Sequence, residues 1–324
     1  MSDRCQRKPE NSSKYGMKLS KRALLFVPLS IAFLLAAAVA AWPGYGQGRR
    51  SLARTTNKNA PTTVKKTSAP VAAPAVDAQW AGAAHQNAQL RESLDWVFGG
   101  KTQHGWTIYA PLVAHTINTE SDADSPDFAQ TLAHWQRGAG LQGTGVLFGD
   151  TLYKLVATWQ SRRLKGATYA TPDQLLTAPA ADFYDPSRPD DQRQVEKETY
   201  AAYKRMIAAA AADRSLGLNA NATGELAPGE KYLKIVSAFR SRERQEQLRK
   251  QSPQSGRAGL AVNSSHFTGR ALDLYVGGDP VSTKDANRAL QTQTRVYRWL
   301  VQNAERFGFR PYYYEPWHWE YVGK

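Results

Sequence analysis

The sequence predicts an α+β protein. A C-terminal domain with a small antiparallel sheet and flanking helices follows a mainly helical domain, a flexible linker and one N-terminal apolar helix. Three observations predict this. Apolar residues recur at helical spacing over 128–159, the stretch 194–213 has the composition of a strong helix, and the last third alternates short apolar runs with helical stripes. With 324 residues, 42% of them hydrophobic and 22% charged, the chain has ample length for a buried core.

Residues 1–22 form a basic arm, expected on the cytoplasmic side. Residues 23–42 (ALLFVPLSIAFLLAAAVAAW) are apolar apart from Ser30, directly after Lys18, Lys21 and Arg22. Twenty residues of helix span about 30 Å, the thickness of a bilayer's hydrocarbon core. An uncleaved transmembrane anchor and a signal sequence cut near Ala38-Val39-Ala40 are the two readings. The long polar lead and the full spanning length favour the anchor, and Pro28 is tolerable in such a helix. Seven basic residues precede the segment and six follow it within 24 residues, so charge bias barely orients it. The bulk of the chain is expected outside the inner (cytoplasmic) membrane, in the periplasm or outside the cell, because the short arm need not cross; secretion after signal cleavage is the alternative. Residues 43–79, rich in Ala, Pro, Thr, Ser and Lys, read as a disordered linker.

The formal charge of +14 lies in this first part. Residues 1–66 hold 13 Lys and Arg against Asp3 and Glu10, leaving 29 basic and 26 acidic side chains for the rest. The folded part is therefore nearly balanced, which speaks against a nucleic-acid partner. No obligate protein partner is evident. Cys5 is the only cysteine, so no intramolecular disulfide and no cysteine-based zinc site can form. A metal would have to be held by His and carboxylate.

Residues 80–165 form the helical region. Phe128, Leu132 and Trp135 share one helix face, Gly138, Gly140 and Gly143 interrupt it, and Leu152, Leu155, Val156 and Trp159 make a second stripe. Trp135-Gln136, Gly140-Leu141, Gly145 and Thr151 stand at places that resemble the small helical peptidoglycan-binding module. A plain helical hairpin packed on its own core fits the same pattern. Residues 166–194, with Pro172, Pro179, Pro186 and Pro189, read as a connector.

Residues 195–324 form the last domain, with strands expected over 232–239, 271–276 and around Trp317, and helices over 241–251 and 285–307. Its only two histidines sit in dense polar strings, Ser264-Ser265-His266-Phe267-Thr268-Gly269-Arg270-Ala271-Leu272-Asp273 and Glu315-Pro316-Trp317-His318. Two imidazoles, a carboxylate, an open fourth position and a separate Glu are what a hydrolytic zinc site needs. Along 271–276, Leu272, Leu274 and Val276 share one face and Asp273 points to the other, a costly place for a lone carboxylate.

Ser264-x-His266-x-x-Gly269-x-Ala271-x-Asp273 followed by Glu315-x-Trp317-His318 resembles the VanY-type D-alanyl-D-alanine carboxypeptidases, zinc peptidases of the cell wall. Ser237-Ala238-Phe239-Arg240-Ser241 with Gln245 resembles an upstream element of that family, with Phe239 in place of Tyr. The resemblance implies Zn²⁺ bound by His266, Asp273 and His318, with Glu315 as general base. It implies that Arg240 stabilises the oxyanion or clamps the substrate's terminal carboxylate, and that Ser264 and Gln245 are weaker substrate-binding candidates. The expected substrate is a peptidoglycan stem peptide that loses a C-terminal D-alanine. An L,D-carboxypeptidase or a peptidoglycan endopeptidase is the alternative within the enzymes, because the loop 252–263 governs pocket size. A wall-binding module with a structural zinc is the alternative outside them; it would not need Glu315.

Overall fold

The computed structural model describes residues 76–98, 100–166, 168–251 and 264–323. The arm, the apolar segment 23–42, nearly all of the expected linker and the loop 252–263 lie outside the described residues. Among the described residues no helix is long and apolar enough to cross a membrane.

Helix α1 (Val76–Ser93) begins inside the stretch expected to be linker. An antiparallel hairpin of β1 (Asp95–Phe98) and β2 (Lys101–His104) follows, then α2 (Ala110–Ile117), α3 (Pro126–Gly138) and α4 (Gly149–Ser161). The sequence gives no warning of this hairpin, because four residues per strand are too few for a period to register. Helix α3 starts where it does because the Ser125 hydroxyl accepts from Phe128 N at 3.2 Å and Pro126 and Asp127 follow.

The turn between α3 and α4 is built around buried Gln136. Its amide donates to Val146 O and Thr151 Oγ1, both at 2.9 Å, and its carbonyl oxygen accepts from Gly145 N at 2.8 Å. Buried Asn87 of α1 grips the same turn, donating to Gly145 O and accepting from Leu147 N. Gln136, Gly145 and Thr151, three residues of the peptidoglycan-binding-like pattern, thus satisfy one another inside the fold.

The connector contributes β3 (Leu175–Thr177), paired antiparallel with β4 (Gln194–Glu196). Helix α5 (Lys197–Ala212) therefore starts later than the helical composition over 194–213 suggests. Glu196 caps it, accepting from Glu198 N and Thr199 N at 3.2 and 2.8 Å.

The remaining elements are β5 (Ile235–Ser237), α6 (Arg242–Gln251), β6 (Ala271–Leu274), α7 (Asp285–Gln293), α8 (Arg295–Asn303), β7 (Phe309–Pro311) and β8 (His318–Tyr321). The strands form one antiparallel sheet in the order β5-β6-β8-β7. The strand expected over 232–239 shrinks to three residues, because Leu233 takes a left-handed φ of 64°. The single helix expected over 285–307 is two helices and a 3-10 turn. Thr294 adopts an extended conformation between α7 and α8, its hydroxyl accepting from Tyr297 N at 3.2 Å. A capping residue in mid-pattern ends one helix and starts the next.

The described residues belong to one compact unit. Among the described residues one hydrophobic core runs through both regions, and Tyr313 shows how: its ring lies 5.2 Å from Phe98, 5.8 Å from Tyr109 and 5.8 Å from Trp159.

Candidate metal centre

The register of the sheet assembles the centre. Asp273 of β6 lies directly across from His318 of β8 on one side and Ser237 of β5 on the other. Residues opposite one another in antiparallel strands hold their side chains about 5 Å apart. His266 comes from a 3-10 turn over Ser265–Thr268 that feeds β6. Ser264 starts that turn, its hydroxyl accepting from His266 N at 3.3 Å, and Gly269 ends it with a φ of 67°. A side chain at Gly269 would come within 2.9 Å of Leu175 Cδ2 and 3.0 Å of Glu196 N, so β3 and β4 press against the turn.

His266, Asp273 and His318 are all buried, and one donor atom from each lies within 4.8 Å of the others. Each imidazole has one nitrogen bonded elsewhere and one facing Asp273. His266 Nδ1 sits 2.7 Å from Ala238 O, leaving Nε2 at 3.3 Å from Asp273 Oδ2. His318 Nε2 lies 3.2 Å from Glu320 Oε1 and 3.0 Å from Ser265 Oγ, leaving Nδ1 at 2.9 Å from Asp273 Oδ1. Two imidazole nitrogens and a carboxylate converging on one point suit a divalent cation with nitrogen and oxygen preference. Second nitrogens fixed by a carbonyl and a carboxylate are the usual support of such ligands.

The charges agree with this geometry. Burial works against the Asp273 carboxylate, yet the two imidazoles overcome that and hold its carboxyl well below the usual range. Burial also works against a charge on His318, but its bonds to Asp273 and Glu320 push it up to about 10 in the absence of a cation. Burial depresses His266 below the ordinary histidine value.

Glu315 lies beside the cluster, its Oε2 3.9 Å from His318 Nδ1, and no group among the described residues donates to its carboxylate. The backbone fixes its place: Glu315 N donates to Tyr312 O and His318 N to Glu315 O. Burial raises its pKa to about 7. A buried carboxylate near balance at neutral pH, facing the His318 nitrogen that turns to Asp273, is equipped to take and return a proton.

Arg240 stands beside Asp273. It donates to Gln245 Oε1 at 3.1 Å and Ser237 Oγ at 3.2 Å, and approaches Asp273 Oδ2 at 4.0 Å. The metal-binding, catalytic and substrate-binding candidates of the last domain thus gather here, Ser264 through its turn and Gln245 through Arg240. Sequence reasoning missed Ser265, Glu320 and Arg163. Glu320 carried a signal, since two residues along a strand from His318 places both on one face. Arg163 carried none, being remote in sequence from Glu320 and Tyr312.

An α+β domain with a buried His-Asp-His cluster and a buried carboxylate alongside defines a candidate metal-dependent hydrolase. Residues 192–324 match the VanY family, D-alanyl-D-alanine carboxypeptidase, and so contain the cluster, Glu315 and Arg240 but not Arg163. A solved structure of the LdcB LD-carboxypeptidase, described as revealing the molecular basis of peptidoglycan recognition, is similar at 26% identity. The match covers 49% of this chain and 72% of that one, with a TM-score of 0.34. No curated protein matches the chain.

Proposed function

We propose that the protein is a zinc-dependent carboxypeptidase of cell-wall stem peptides, releasing a C-terminal D-alanine. The observation that carries this reading is the convergence of His266, Asp273 and His318 with Glu315 beside them, inside the segment that matches the D-alanyl-D-alanine carboxypeptidase family. Zinc in such a site supplies Lewis-acid polarisation and a more acidic water. The chain's own residues do the rest. His266 Nε2, Asp273 and His318 Nδ1 would hold the cation. Glu315 would take a proton from water as the water oxygen bonds to the scissile carbonyl carbon, then pass that proton to the departing amine nitrogen as the C–N bond breaks. Arg240, held at its two ends by Gln245 and Ser237, would meet the substrate's terminal carboxylate or the developing oxyanion. The apolar segment 23–42 would tether the domain outside the inner membrane.

The test is mass spectrometry of pentapeptide and tetrapeptide stems incubated with the zinc-loaded protein. Loss of one alanine from the pentapeptide is expected. An intact pentapeptide with a shortened tetrapeptide, or a cut inside the chain of either, would overturn the assigned bond.

A further inference from the structure

The environment of Glu320 reaches beyond the family-matched segment. Its side chain is 1% exposed and accepts four times. His318 Nε2 lies at 3.2 Å from Oε1, Arg163 Nη2 donates to Oε1 at 2.5 Å, and Arg163 Nε and Leu164 N donate to Oε2 at 3.1 and 3.0 Å. The two guanidinium contacts form a planar fork, which fixes direction as well as distance. Arg163 is itself held, donating through Nη1 to Gln160 Oε1 of α4 at 2.9 Å. Its guanidinium also lies 4.0 Å from the centroid of the Tyr312 ring. Tyr312 is the residue whose carbonyl accepts from Glu315 N and whose N–H donates to His318 O.

We propose that Arg163 is a positioning residue of the metal centre. Supplied by the helical region just after α4, it locks Glu320, and Glu320 locks the His318 ring with Nδ1 turned to the cation. A carboxylate with only His318 and Leu164 to hold it could turn within its site, and the imidazole would turn with it. Through Tyr312 the same guanidinium braces the backbone that presents Glu315. The helical region, which lies outside the segment matching the family, is on this account part of the catalytic apparatus rather than an appendage.

The proposal rests on the zinc reading above. Its test is the zinc dissociation constant of the full chain, read by competition with a chromophoric chelator, for Arg163→Gln, Glu320→Gln and the double variant. Each single change should weaken zinc roughly 10- to 100-fold, the usual cost of losing an outer-shell partner. Because Arg163 acts through Glu320, the double variant should bind zinc within about twofold of Glu320→Gln alone. A merely structural ion pair would instead lower the melting temperature of the zinc-free chain and leave zinc affinity unchanged in Arg163→Gln. That result, or losses that multiply in the double variant, overturns the proposal. If circular dichroism shows Arg163→Gln unfolded, Arg163→Lys is read in its place. It keeps the charge and loses the fork, so zinc should bind about 2- to 10-fold more weakly, and unchanged affinity overturns the proposal. An unaltered chain that takes up no zinc removes the zinc reading itself, an outcome separate from failure in the variants.

Discussion

Two nitrogens on each imidazole carry different duties, and the centre depends on their not being exchanged. His266 is held by the carbonyl of Ala238, just after β5, and His318 by a carboxylate on its own strand, so both present the free nitrogen to Asp273. Asp273→Asn keeps the shape but removes the charge that faces both rings. Zinc affinity measured with a competing chelator should fall by at least the roughly tenfold typical of a lost outer-shell partner, since this residue is nearer. Arg240→Lys replaces a planar fork by a point charge. kcat/KM for a stem peptide should drop by about 10- to 100-fold while zinc content is unchanged, a loss of one charge-assisted contact. Equal kcat/KM would remove Arg240 from substrate binding. At this scale the sequence was most legible. His266, Asp273, His318 and Glu315 stand in short strings whose residue types have no easy role in a core. Ser265 and Arg163 were not legible, because a serine in a turn and an arginine after a helix have many ordinary explanations.

Short elements set the geometry of the site. The turn over Ser265–Thr268 closes on Gly269, whose left-handed φ and close approach to Leu175 and Glu196 leave no room for a side chain. Gly269→Ala should destabilise the fold by about 1–3 kcal/mol in denaturant unfolding, through strain at a positive φ and displacement of β4. Unaltered stability would show that the turn relaxes freely. Helices with a clear apolar period, α3 and α4, could be read from sequence to within a few residues, and α6, almost wholly polar, was legible from its run of helix-forming residues instead. The break at Thr294 could not, because no Pro or Gly marks it and the apolar stripe continues on both sides. Nor could the hairpin of β1 and β2, where burial alternates over only four residues, with Trp96 buried and Asp95 and Val97 exposed.

On the scale of the molecule, the candidate metal centre and the helical region are joined through one core among the described residues. Phe98, Tyr109 and Trp159 surround Tyr313, two residues before Glu315, and Arg288 ties Tyr109 Oη to Tyr314 O at 3.1 and 3.2 Å. Composition predicted a helical region and an α+β domain in sequence, but nothing in either half announced that they share an interior, since packing partners so distant leave no periodic trace. The segment 192–324 expressed alone should therefore lack cooperative thermal unfolding, having lost the aromatic wall around Tyr313. A sharp transition in that fragment would show the helical region to be dispensable. Removing the metal from the full chain should lower its melting temperature, and excess zinc should restore it, because a cation that binds only the folded state stabilises it by about 4 kcal/mol at 1,000 times its dissociation constant. The most direct test of the whole account separates holding the metal from using it. Zinc content and D-alanine release are measured on the same preparations of Glu315→Gln and His318→Ala. Glu315→Gln should keep about one zinc per chain while turnover falls by roughly 10²–10⁴-fold, and His318→Ala should lose zinc and activity together. Full turnover in Glu315→Gln, or full zinc in His318→Ala, would contradict it.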